Sequence, residues 1–184
     1  MPSVLLLHGY KQTAEIMKSK TKKLFNSNYN LEFLDGGLEL GNNTFGWWHI
    51  DRDRIFENRF SYNVDFINNI KEKVRTEPDF IVGFSQGCNV AMIMLIEDIF
   101  PKIKGVIFIG AGPMLDDKCL PLEKIRVPSL HIIGLNDPIC DSSYSEIFMN
   151  YFEQPRLHYH DKGHVIPTQS KDKVAIKEFM ETVK

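Results

Sequence analysis

Two apolar segments of this chain are separated by a short polar interruption, and this feature constrains the fold more than any other. Residues 79–95 read DFIVGFSQGCNVAMIML, with Ser85 between Gly83 and Gly87. The first apolar run is typical of a buried strand, and the second is typical of a buried helix. This order predicts a sharp strand-to-helix turn that holds Ser85 at the carboxyl end of the strand.

Such a turn matches the nucleophile elbow of α/β-hydrolase enzymes, although a tight turn with an idle serine is the alternative. The glycines leave room for the strand and the helix to approach closely. A serine hydroxyl is a poor nucleophile until a base takes its proton and an acid orients that base. We therefore predict that Ser85 is a nucleophile and that later segments supply the base and the acid.

The acid and the base are expected on loops that follow later strands, in that order. Asp137 follows the apolar run 128–134, and His164 follows the run 155–160. Because ligands bind at the carboxyl ends of parallel strands, we predict that Asp137 and His164 meet Ser85 there.

Other acids and histidines compete for these roles. Asp141 has the position of a helix cap, and Asp161 stands beside a strand end; both remain alternatives to Asp137. Three histidines fall within predicted strands, where packing or solvent contact is the expected role: His131, His158 and His160.

The loop after the first strand, LHGYKQTAE, is expected to supply a backbone donor to an oxyanion. We predict that the backbone N–H groups of Tyr10 and Gln86 form this oxyanion hole. His8 is expected to fix the loop by hydrogen bonding rather than to transfer a proton.

Short apolar runs alternate with segments of helical period along the chain, which predicts an α/β fold. The predicted strands are 3–8, 31–35, 79–84, 104–110, 128–134 and 155–160, and the predicted helices lie near 13–25, 62–76, 86–99, 142–153 and 170–183. We expect one domain over residues 1–184, with a mostly parallel six-stranded sheet and helices on both of its faces.

A long connection, residues 36–61, lacks a clear period. Connections of this length are usually lids, binding loops or disordered segments. Its aromatic residues argue against disorder: Phe45, Trp47, Trp48, Phe56 and Phe60. We expect Trp47 and Trp48 to line the site that binds the acyl group; the alternative is that one of them packs the loop onto the helix at 62–76.

The charge balance gives no sign of a nucleic-acid or anionic-lipid partner, since 22 basic and 24 acidic side chains give a formal net charge of −2. No membrane span is expected, and the default location is the cytoplasm. The three cysteines lack metal-ligand spacing and are expected to be free thiols: Cys88, Cys119 and Cys140. No metal or cofactor is expected, and no glycine-rich phosphate loop follows the first strand.

Several motifs together resemble the FSH family of serine hydrolases, within the α/β-hydrolase superfamily. They are LLLHGYKQTAEIMKSKT, the WW pair at 47–48, GFSQG, GLNDPI and KGHVIP, and they span nearly the whole chain in order. The resemblance implies an α/β-hydrolase fold, with Ser85, Asp137 and His164 at the family's triad positions. It also implies esterase activity toward small acyl esters, long-chain ones in some members.

The expected function is therefore the hydrolysis of carboxylic acyl esters through a Ser-His-Asp triad and an acyl-enzyme intermediate. An acyl-protein thioesterase or a short-chain carboxylesterase is the alternative among enzymes. A non-catalytic protein that binds a ligand on the same fold is the alternative from another class.

Overall fold

The computed structural model describes residues 1–25, 27–51, 59–112 and 115–183, so Phe56 lies outside the described residues. The strands are β1 Ser3–Leu7, β2 Asn30–Leu34, β3 Leu38–Glu39, β4 Phe45–Gly46, β5 Phe80–Phe84, β6 Gly105–Ile109, β7 Ser129–Gly134 and β8 Pro155–His160. The α-helices are α1 Ala14–Thr21, α2 Val64–Lys73, α3 Gln86–Ile96, α4 Ser142–Met149 and α5 Ser170–Thr182. None of these helices is long and apolar enough to cross a bilayer.

Six strands form a parallel sheet in the order β2-β1-β5-β6-β7-β8. The predicted parallel α/β sheet is confirmed, and each predicted strand end lies within one residue of the observed one. The prediction did not include β3 and β4, which pair antiparallel within the long connection. Helices α1 and α4 end earlier than predicted, at Thr21 and Met149.

Each face of the sheet is covered by helices, which explains why the central strands are apolar at successive positions. Leu5 and Leu7 of β1 pack in one core layer with residues of α2, α3 and α4. Val4 and Leu6 pack in the other layer with residues of α1 and α5. The alternation follows from the two-residue period of a strand.

The turn from β5 into α3 needs glycine on both sides of the serine. A Cβ on Gly83 would lie 2.6 Å from the carbonyl oxygen of Gly87. A Cβ on Gly87 would overlap the carbonyl oxygen of Leu7 in β1. These contacts bring α3 directly against the sheet and fix the position of the residue between the glycines.

Candidate active site

Ser85 has a backbone conformation that a residue with a side chain rarely adopts, with φ 52° and ψ −119°. Its N–H donates to the carbonyl oxygen of Ile109 at 2.9 Å, and its own carbonyl accepts from the N–H of Cys88 at 2.9 Å. The strain is therefore maintained by the neighbouring strand and by the first turn of α3. The sharp turn predicted from the glycine spacing is present at this position.

Asp137 and His164 come together from the loops after β7 and β8. Nδ1 of His164 donates to Oδ2 of Asp137 over 2.6 Å. The other carboxylate oxygen, Oδ1, accepts from the backbone N–H groups of Ile139 and Cys140 at 2.8 and 2.9 Å. The side chain of Asp137 is 2% exposed. Its hydrogen bonds therefore hold the carboxylate in one orientation. Since Nδ1 is the donor, Nε2 of His164 is left for another partner.

Ser85 and His164 line one cavity of about 590 Å³. Its described lining consists of Gly9, Tyr10, Gln12, Ile50, Phe84, Ser85, Gln86, Asn89, Gly112, Ile139, Cys140 and His164. In the described part of the chain, His164 hydrogen-bonds to Asp137 and not to Ser85. Hydrogen bonds of this kind are often long before substrate binds.

The two predicted oxyanion donors lie on opposite elements beside Ser85. Tyr10, in the loop after β1, and Gln86, the first residue of α3, both line the cavity. A Cβ on Gly9 would lie 3.2 Å from Cβ of Ser85, so this loop passes directly beside the serine. Among the described residues, neither the Tyr10 nor the Gln86 N–H donates to a protein acceptor.

His8 holds the loop after β1 in place. Its Nδ1 donates to the carbonyl oxygen of Gly9 at 2.7 Å, and its Nε2 accepts from the N–H of Gly36 at 3.0 Å. The ring is fully buried, and this burial lowers the pKa of His8. A neutral ring with both nitrogens engaged fits the predicted positioning role rather than proton transfer.

Trp47 and Trp48, which are expected to line the acyl site, are not among the described residues that line this cavity. They are only 5% and 7% exposed. The indole N–H of Trp47 donates to the carbonyl oxygen of His8 at 2.8 Å. Trp48 stacks on Phe60 with ring centroids 4.2 Å apart, and its ring also meets that of Phe66 in α2. The contact with Phe66 agrees with the alternative role, in which one tryptophan packs the loop onto α2.

The side chain of Gln86 clamps the same loop. Oε1 accepts from the N–H of Trp47 at 3.0 Å, and Nε2 donates to the carbonyl oxygen of Trp48 at 2.9 Å. Gln86 is buried at the start of α3. The residue after the serine therefore anchors the aromatic loop through its side chain, a role that the sequence prediction did not include.

The competing acids have other partners. Asp141 caps α4, because its Oδ1 accepts from the N–H and the hydroxyl of Ser143 at 2.9 and 2.6 Å. Those hydrogen bonds lower the pKa of Asp141. The side chain of Asp161 is exposed, and its backbone oxygen accepts from Asn136.

The histidines of the strands also lie away from the cavity. His158 contacts Oδ1 of the buried Asp172 at 2.8 Å. His131 contacts the hydroxyl of Ser129 at 2.9 Å, and burial lowers the pKa of its ring to about 3. His160 is 3% exposed, and burial lowers its pKa.

Among the described residues that line the cavity, the sequence prediction missed Gln12, Ile50, Phe84, Asn89, Gly112, Ile139 and Cys140. Asn89 had a signal, since it is a polar residue four positions after Ser85 in an otherwise apolar helix. Burial, with the nearby charge of Asp137, raises the pKa of Cys140 to about 12. No group of three or more potential ligand side chains suited to a metal ion occurs in the described ranges.

The chain is similar in sequence to a family of serine hydrolases and to proteins named as esterases. A family model described as "Serine hydrolase (FSH1)" matches residues 1–176. Esterase C25G4.2 of Caenorhabditis elegans is 30% identical, over 96% of this chain and 91% of that protein. Esterase AGAP003155 of Anopheles gambiae is 28% identical, over 96% of this chain and 76% of that protein.

The fold also resembles that of solved enzymes. A carboxylesterase from Mesorhizobium loti superposes with a TM-score of 0.72 at 17% identity, over 98% of this chain and 88% of the other. At that level of identity the likeness concerns the fold alone.

Proposed function

The chain belongs to the FSH1 serine hydrolase family, and on that premise we propose that it hydrolyses carboxylic acyl esters through a covalent intermediate on Ser85. The observation that carries the proposal is the 2.6 Å contact between Asp137 and His164, with His164 on the cavity that Ser85 also lines. The residues proposed as nucleophile, base and acid follow the carboxyl ends of β5, β8 and β7, which lie on the same edge of the sheet.

In the acylation step, Oγ of Ser85 attacks the ester carbonyl carbon while Nε2 of His164 takes the hydroxyl proton. The new C–O bond makes a tetrahedral intermediate, whose oxygen carries the negative charge. The backbone N–H groups of Tyr10 and Gln86 stabilise that charge. Collapse of the intermediate breaks the bond to the leaving alcohol, which receives the proton from His164.

In the deacylation step, water attacks the acyl-Ser85 ester, and His164 takes one of its protons. When the second tetrahedral intermediate collapses, the bond between the acyl carbon and Oγ of Ser85 breaks, His164 returns the proton to Oγ, and the carboxylic acid leaves. Asp137 stays ionised in both steps and stabilises the imidazolium that forms on His164. Two backbone N–H groups hold its other oxygen, so the carboxylate keeps its orientation toward His164.

The apolar walls of the cavity favour the displacement of water when a substrate binds. Ile50, Phe84 and Ile139 line it beside the polar groups, and the ring of Phe84 lies 5.0 Å from that of His164, centroid to centroid. Electrostatic stabilisation of the oxyanion is stronger where water is excluded. An acyl group can bury methylene groups against the same side chains.

A fluorophosphonate probe and an ester panel test this function together. Wild-type protein should be labelled by the probe on the peptide that contains Ser85, and it should hydrolyse p-nitrophenyl esters of graded chain length. Acyl-CoA thioesters in the same panel separate an esterase from a thioesterase. Absence of both labelling and hydrolysis in folded protein would favour a non-catalytic binding protein.

A further inference from the structure

We infer that the side-chain amide of Asn89 binds a hydroxyl group on the acyl part of the substrate, so that hydroxyacyl esters are preferred over plain alkyl esters. The inference rests on the proposed ester hydrolysis at Ser85. It assigns a substrate class to the same cavity and adds Asn89 as a residue that determines specificity.

The first observation is that the amide of Asn89 has no hydrogen-bond partner among the described residues. The residue is 1% exposed, and neither Oδ1 nor Nδ2 makes a hydrogen bond to any described residue. Buried polar groups are nearly always paired, because an unpaired one has lost its water without compensation. An apolar side chain would stabilise helix α3 better at this position, so the amide points to a ligand.

The second observation is where this amide lies. Asn89 follows Ser85 by four residues, about one helical turn of roughly 5.4 Å along the axis. It lines the cavity that also holds Ser85 and His164. An acyl group attached to Ser85 therefore has its first few carbons within reach of the Asn89 amide.

Asn89 also borders a second cavity of about 190 Å³. Most of the other described residues around it are apolar or aromatic: Leu115, Leu120, Tyr144, Ile147, Phe148 and Tyr151. An acyl chain that extends from Ser85 toward this cavity passes Asn89. Asn89 thus borders both cavities, on the path that we expect the acyl chain to take.

The hydrogen-bonding capacity of the site selects a hydroxyl. Asn89 offers one donor group and one acceptor oxygen. Oε1 of Gln12 on the same cavity is a further buried oxygen, without a hydrogen-bond partner in the described part of the chain. A hydroxyl both donates and accepts, so it can pair with either kind of group. A carboxylate only accepts hydrogen bonds, so it would leave Oδ1 of Asn89 and Oε1 of Gln12 unpaired. An alkyl group would form no hydrogen bond with either side chain.

Two isosteric esters test the inference: p-nitrophenyl 3-hydroxybutanoate and p-nitrophenyl 3-methylbutanoate, which differ by a hydroxyl in place of a methyl group. Wild-type kcat/KM should be at least about tenfold higher for the hydroxy ester, since sites built to bind a hydroxyl discriminate against analogues without it. In Asn89→Leu the ratio should fall by about tenfold, because kcat/KM for the hydroxy ester should fall more than kcat/KM for the methyl ester. Differences in intrinsic reactivity cancel when the ratios of the two proteins are compared.

Met92→Leu is the matched control, because Met92 is a buried residue of α3 that is not among the described lining of either cavity. It should keep the wild-type ratio. Asn89→Leu should melt at the wild-type temperature or above, since it removes two unpaired polar atoms. If leucine does not fit, the ratio of kcat/KM values can be measured in Asn89→Ala, where the same fall is expected. A wild-type ratio near one, or an unchanged ratio in both Asn89 variants, would overturn the inference while leaving ester hydrolysis intact. Failure of wild type to hydrolyse even p-nitrophenyl acetate would instead contradict the proposed function.

Discussion

The imidazole of His164 and the carboxylate of Asp137 meet at 2.6 Å although 27 residues separate them in the chain. The contact forms because β7 and β8 are adjacent parallel strands, and both loops leave the same edge of the sheet. Backbone N–H groups of Ile139 and Cys140 hold the carboxylate from the other side. The imidazole of His164 is thus oriented by a carboxylate that is itself held in place.

Replacement of Asp137 should therefore affect turnover far more than replacement of the neighbouring Asp141. Asp137→Asn keeps the size of the side chain but removes the charge that stabilises the imidazolium, and kcat should fall by up to about ten-thousand-fold. Asp141→Asn should keep kcat nearly unchanged, since asparagine also caps a helix well. Equal, mild losses of kcat in both variants would place the acid elsewhere, with Asp161 the next to test.

His164 and His158 each pair with an aspartate, so the two histidines provide a matched comparison. His164→Ala should lower kcat as severely as loss of the nucleophile, by on the order of a million-fold. His158→Ala removes the partner of Oδ1 of the buried Asp172, whose Oδ2 keeps its hydrogen bond from the N–H of Gln169, and should lower the free energy of unfolding by about 1–3 kcal/mol. Its kcat, measured below its melting temperature, should stay near that of wild type. Loss of turnover in His158→Ala at full folding would refute the assignment of His164.

Trp48 should act on stability rather than on the choice of acyl chain. Its ring is stacked on Phe60 in the core, so Trp48→Ala should lower the free energy of unfolding by about 3–5 kcal/mol. Trp48→Phe should recover part of that loss. The dependence of kcat/KM on acyl chain length should keep its wild-type shape in the phenylalanine variant. A flattened dependence would return Trp48 to the acyl site.

Acid should destabilise the protein partly through His131. Burial lowers its pKa to about 3, against an ordinary value of 6.5 in the unfolded chain. Between these values the unfolded state binds the proton and the folded state does not, so stability falls as the pH drops from about 6.5 toward 3. One proton gives a slope of up to about 1.4 kcal/mol per pH unit.

Urea unfolding of wild type and His131→Phe, compared between pH 6.5 and pH 4.5, measures this contribution. Phenylalanine suits the surrounding rings of Phe108, Phe148 and Phe152 and cannot take up the proton. The loss of stability on acidification should be smaller in the variant. Parallel losses in the two proteins would show that His131 does not contribute.

The order of the sheet elements and the place of Ser85 were predictable because both depend on local sequence. Apolar runs bounded by charge, proline or glycine gave the six strands, and the glycine spacing gave the turn. Asp137 and His164 followed from the rule that loops after parallel strands share one edge. Their contact in the structure agrees with that expectation, while their chemical roles stay predictions.

The position of the aromatic loop depended on partners far along the chain. Trp47 is held by His8 and Gln86, each 39 residues away in sequence, and no periodicity within the loop signals those hydrogen bonds. The two-residue strands β3 and β4 were missed because they are too short to show a pattern. Asn89 was overlooked because helical period identifies a buried position but not the cavity beside it.

Covalent acylation of Ser85 is tested most directly by mass spectrometry of the rapidly quenched reaction with p-nitrophenyl butanoate. We expect one butanoyl group per chain, on the peptide that contains Ser85. The acyl-enzyme should accumulate if deacylation is slower than acylation. Ser85→Ala, confirmed as folded by circular dichroism, should carry no acyl group and should lose about a million-fold in kcat. A Ser85→Ala variant that kept more than about a hundredth of wild-type turnover would contradict the covalent mechanism.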